Sequence, residues 1–205
     1  MFTQGQINSC STASGLAERV RRLCAMLLAV IGLSVSQLSW ADEAGEFRIE
    51  DAHAWNADGA YLLDAQFLIG LSSGAREALE NGVPLVFDLQ VQVVRKHRWW
   101  WDSVAVELRL SRQLQYHALS ESYLVKDLNA GTQGNYRRLE DALHAAGAIR
   151  NLFLTDLQMQ AGAGYNIRLR GSLDIESLPT PVRLPAYVSS AWDMQSEWYA
   201  WPLVR

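Results

Sequence analysis

Val83-Pro-Leu-Val-Phe-Asp-Leu-Gln-Val-Gln-Val-Val-Arg95 alternates apolar and polar positions. Val83, Leu85, Phe87, Leu89, Val91 and Val93 fall on one face, and Asp88, Gln90 and Gln92 on the other. A period of two is the strand period, so the stretch predicts a β-strand with one buried and one wet face. Lys96-His-Arg-Trp-Trp-Trp-Asp102 then leads to Ser103–Tyr116, where Val104, Val106, Leu108 and Leu110 alternate with Glu107, Arg109 and Ser111. Two such strands joined by a short connection predict an antiparallel hairpin.

The same reading extends in both directions. Phe47–Trp55 predicts a first strand, Asn56-Ala-Asp-Gly59 a turn, and Tyr61–Ile69 a second strand burying Tyr61, Leu63, Ala65, Phe67 and Ile69. Ser72-Ser73 caps a short helix over residues 74–80, and Asn81-Gly82 ends it. Downstream, Ser122–Leu128 reads as strand and Tyr136–Ala146 as helix, with Leu139, Leu143 and Ala146 on one stripe. Leu152–Leu157 fits a strand or a helix end. Asn166–Ile175 alternates again, with Ile167, Leu169, Gly171, Leu173 and Ile175 inward. Pro179, Pro181 and Pro185 exclude a regular central strand, and Tyr187–Trp198 reads as a last extended segment. The fold class is mainly β: an antiparallel sandwich or curved sheet of about seven strands with one or two short packed helices.

Arg19, Arg21 and Arg22 precede an apolar run from Leu23 that ends at Ser39-Trp-Ala41, the pattern of a signal peptide with a small-x-small cleavage site. Residues 1–41 are thus expected to be a leader, and 42–205 a single β-rich domain. The protein is expected to be periplasmic or exported. Residues 23–38 are shorter than the roughly 20 apolar residues of a comfortable span, with an uncleaved inner-membrane anchor as the alternative. Cleavage would remove Cys10 and Cys24 together with three arginines, leaving a thiol-free domain more acidic than the whole chain at −4. Without a lysine cluster, such a domain is a poor nucleic-acid binder.

Motifs for catalysis or metal binding are weak. His53, His97, His117 and His144 are scattered, and no Gly-x-Ser-x-Gly elbow, phosphate loop or calcium loop occurs. Neither a metal nor another cofactor is expected. Asp88, Glu107 and Asp174 point outward and are explained by solvation of the wet face. Arg109, Arg168 and Arg170 on neighbouring wet faces would pair with those acids, without an anion site.

The aromatic residues carry more. Eight tryptophans include Trp99, Trp100 and Trp101 in succession, then Trp192, Trp198 and Trp201 with Tyr199. Successive strand residues alternate, so three adjacent tryptophans cannot share one core. Either the C-terminal segment folds back over the hairpin and buries both clusters, or an aromatic patch with Arg98 docks an envelope protein or a membrane surface.

Arg98-Trp-Trp-Trp-Asp102, Tyr116-His-Ala-Leu-Ser120, Tyr123-Leu-Val125 and Ser196-Glu-Trp-Tyr-Ala-Trp-Pro-Leu203 resemble segments of a family of small exported proteobacterial proteins classed only as a domain of unknown function. The resemblance implies export and supplies no activity, cofactor or catalytic residue. The expectation is a noncatalytic envelope module that binds through Arg98, Trp99, Trp100, Trp101, Trp192, Trp198, Tyr199 and Trp201. The alternative is a carrier for an apolar or glycan ligand; an enzyme ranks third.

Overall fold

A computed structural model describes residues 45–57, 59–97, 101–154 and 164–203. The expected leader and anchor, with Arg98, Trp99 and Trp100, lie outside the described residues.

Among the described residues nine strands form two antiparallel sheets. β1 (Glu46–Ala57), β2 (Ala60–Gly70) and β7 (Ala148–Phe153) make a three-stranded sheet in the order β1-β2-β7. The larger sheet contains β3 (Leu85–Lys96), β4 (Ser103–His117), β5 (Ser122–Asp127), β6 (Gln133–Tyr136), β8 (Gly164–Leu173) and β9 (Tyr199–Pro202), in the order β6-β5-β4-β3-β8-β9. Among the described residues three short α-helices pack with the sheets: α1 (Ser73–Glu80), α2 (Leu139–Ala146) and α3 (Thr180–Val188). This is the expected antiparallel β architecture with packed helices.

Local chemistry explains most boundaries. Gly59 sits at φ +88° in the β1–β2 turn, and its N–H donates to Asn56 Oδ1 at 3.1 Å. The Ser72 side chain accepts the Ala75 N–H and so starts α1 as expected. The proline-rich stretch differs from a mere strand breaker: it forms α3, with Pro181 in the first turn, where a missing N–H costs nothing. Consequently the expected extended segment from Tyr187 is broken by the end of α3 and a 3-10 turn at Ser190–Trp192.

The core lies between the sheets. Tyr61, Leu63, Ala65, Phe67 and Ile69 are all buried, as are Leu85, Phe87, Leu89, Val91 and Val93. The Phe47 ring of β1 meets Phe67 and Phe87 edge-on, each at 6.0 Å between centroids, which joins the small sheet to the large one. That junction requires glycine at position 171, because a Cβ there would sit 2.1 Å from Phe47 Cε1. Gln66, also buried, fastens α2 to β2: its Nε2 donates to the His144 carbonyl at 2.9 Å, while its Oε1 accepts from Arg150 Nη2 at 3.0 Å.

Two expectations about strand faces need correction. Asp88 and Gln92 are not wet; they are 8% and 7% exposed. A register shift between Val93 and Val94 also sets Val104, rather than Ala105, opposite Val94 and leaves it outside the core.

Candidate binding surface

After α3 the chain returns along β8 in two stretches. Ser196 locks the first: its N–H donates to the Gly171 carbonyl at 2.8 Å, and its Oγ accepts the Gly171 N–H at 2.9 Å. β9 forms the second, with Tyr199 opposite Leu169 and Trp201 opposite Ile167. Trp198 lies between the two stretches.

This path separates the C-terminal aromatics that the sequence groups together. Trp192 is buried, and its indole lies 3.4 Å from where a Cβ on Gly74 of α1 would be. It serves the core. Trp198 is half-buried beneath two guanidinium groups, with Arg168 Cζ 4.8 Å and Arg170 Cζ 5.8 Å from the ring centroid. Tyr199 is 48% exposed and packs against the half-buried Trp201 at 5.5 Å. Trp101, in contrast, is 91% exposed at the tip of the β3–β4 hairpin, where the His97 N–H donates to Asp102 Oδ1 at 3.4 Å. Strand register brings this tip and β9 to the same end of the large sheet: Arg95 pairs with both Ser103 and Tyr165, and Ile167 two residues on with Trp201.

An open groove of about 330 Å³ runs between the edge of β1 and the C-terminal segment, lined by Glu46, Phe47, Arg48, Ile49 and residues 196–199. Its walls are mainly apolar. A second open groove, about 310 Å³ and more polar, lies by the Arg112–Asp127 pair at 2.7 Å.

The face of the large sheet turned away from the core carries cross-strand polar rows. Ser111, Asp88 and Ser172 form one; Arg109, Gln90 and Arg170 the next; Glu107, Gln92 and Arg168 the third. Asp88 accepts from Ser111 Oγ at 2.6 Å and lies 3.6 Å from Arg109 Nη1. Gln92 bridges its row, donating to Glu107 at 3.1 Å and accepting from Arg168 Nε at 2.6 Å. Arg170 donates to Gln195 Oε1. The expected acid pairing therefore holds only for Arg109, because amides stand where Arg168 and Arg170 would need carboxylates. Asp174 instead caps the turn at Ile175–Ser177, accepting the Glu176 N–H at 3.0 Å.

Two further apolar surfaces escape the sequence reading. Trp55, Leu62 and Phe153 stand side by side across β1, β2 and β7, with His53 stacked on Trp55 at 5.4 Å. On α3, Leu184 and Val188 are exposed at helical spacing beside Tyr187. The period-two pattern of β1 and β2 contained the first signal; for α3 the prolines masked it. Among the described residues no three His, Cys, Asp or Glu side chains gather as a metal site.

Fold and surface together define a small two-sheet β domain with an aromatic edge and a polar sheet face. Residues 44–202 match the family model described as a domain of unknown function, DUF4390, and the chain belongs to that family. This corrects the resemblance drawn above: the family detected is DUF4390, by a match along the domain, and not one identified by the Trp99–Trp101 and related segments. No curated protein and no solved structure matches the chain. On localisation the correction concerns the anchor alone: no helix among the described residues is long and apolar enough to cross a membrane. Residues 23–38, where the alternative of an inner-membrane anchor falls, lie outside the described residues.

Proposed function

We propose that the domain is a noncatalytic binding module that holds a protein partner at the groove between β1 and the C-terminal segment. One observation carries the reading: Phe47, Ile49, Trp198 and Tyr199 line an open, mainly apolar groove at the edges of both sheets. Aromatic rings at such a site supply large contact area with few rotors to immobilise. Trp192 has no part in it, and Trp101 extends the aromatic edge along the same end of the sheet. The carrier reading would use the same groove for a small apolar or glycan ligand.

A photoreactive benzoylphenylalanine at position 199, and separately at Ile49, tests the proposal in the producing cell. Both positions should yield the same discrete protein adduct, while the control at Leu119, a 99% exposed apolar residue remote in the chain, should not. Adducts that are absent, or identical from all three positions, would refute groove docking.

A further inference from the structure

Arg168 and Arg170 are two residues apart on β8 and project to the same side of the sheet. Their guanidinium groups both rest on the Trp198 indole. Each is only half-exposed, and each is held by an amide: Arg168 by Gln92, and Arg170 by Gln195. Among the described residues neither forms an ion pair. Asp88 is occupied by Ser111 and Arg109, Glu107 is separated from Arg168 by Gln92, and Asp193 and Glu197 pair with neither arginine. Two like charges are thus fixed side by side with no carboxylate directly paired to either among the described residues, an arrangement complementary to an anion.

We propose that this pair reads the carboxylates of an acidic, extended polypeptide. The proposal deepens the binding reading above by naming its partner's chemistry. Spacing favours a peptide: residues at i and i+2 in any extended chain repeat every 6–7 Å or so, matching Arg168 and Arg170. Planar guanidinium forks suit carboxylates in a bidentate fashion, and the indole beneath keeps them in place. A backbone nest of the kind that cradles phosphate would call for free N–H groups. Here β8 is paired around Arg168 with β3 on one side and β9 on the other. Trp198 also lines the groove, so an apolar residue of the same peptide can enter it beside the acids.

The test uses the full chain and two fluorescein-labelled peptides of equal Glu and Ser content, one alternating Glu-Ser and one repeating Glu-Glu-Ser-Ser, in which no two Glu residues stand at i and i+2. Fluorescence anisotropy should show the alternating peptide bound several-fold more tightly, with affinity falling as salt rises. Arg168→Gln and Arg170→Gln should each weaken it about tenfold, and Arg168→Lys should restore part of the loss. Arg76→Gln on α1 should change nothing, and circular dichroism verifies folding of every variant. Equal binding of both peptides, or unaltered binding by the arginine variants, overturns the proposal. So does capture by phosphatidylglycerol vesicles when neither peptide binds. Tyr199→Ala separates the two readings: if it retains arginine-dependent peptide binding yet loses the adduct formed from position 49, the anion site stands apart from the groove.

Discussion

β3 is largely shut off from water on both faces, and the two faces achieve it by opposite means. Toward the small sheet, Leu85, Phe87, Leu89, Val91 and Val93 meet a second apolar layer. On the far side, Asp88 and Gln92 are nearly as buried, within rows of hydrogen-bonding neighbours supplied by β4 and β8. Burial of the first kind is driven by removing apolar surface from water. The second kind gains little from burial itself and depends on every polar partner being present. Alternation along a strand thus tells which way a side chain points. It does not tell whether water reaches it.

The largest expected effect is on the apolar face. Phe87→Ala removes a fully buried ring that meets Phe47 at the junction of the sheets, and should cost about 3–5 kcal/mol in urea unfolding. Phe87→Leu should cost distinctly less, because it keeps much of the volume. If the alanine variant lost under about 1 kcal/mol, the view that this face is held by close packing would fail.

Register separates what is legible in the sequence from what is not. Tyr61–Ile69 and Val83–Arg95 are readable because their alternation is local, and α1 because Ser72 and Asn81-Gly82 mark its ends. β6 carries no such signal: Gln133-Gly-Asn-Tyr136 becomes a strand by pairing with the edge of β5. Trp192 looks like part of a surface cluster until the 3-10 turn carries its ring against α1, a contact between residues far apart in the chain. The arginines of β8 fail for a related reason. Their faces follow from the period of two, but their partners follow from register, which sets Arg168 opposite Gln92 and Arg170 opposite Gln90.

An intermediate effect is expected on the polar face. Asp88→Ala strips Ser111 of its acceptor and Arg109 of its nearby charge, and should cost about 1–3 kcal/mol. Asp88→Asn keeps an oxygen that can accept the Ser111 hydroxyl, so more of the stability should survive. Urea midpoints of the two variants decide the matter. Equal losses would mean that the row is held by shape and charge rather than by that hydrogen bond, and the contrast between the two faces of β3 would need restating.

The smallest expected effect falls on the tryptophan outside both kinds of burial. Trp101 is 91% exposed, so Trp101→Ala should leave folding stability within about 0.5 kcal/mol of the parent. Its neighbour in the fold, Asp102, closes the hairpin tip through its carboxylate and the His97 N–H, a contact the indole does not make. A loss above about 1 kcal/mol in urea unfolding would show that the ring is packed and would align Trp101 with Trp192. Unchanged stability leaves a large ring in water with no role in holding the fold. Its selective effect would then be sought in the adduct formed from position 199, because both residues lie toward the same end of the large sheet.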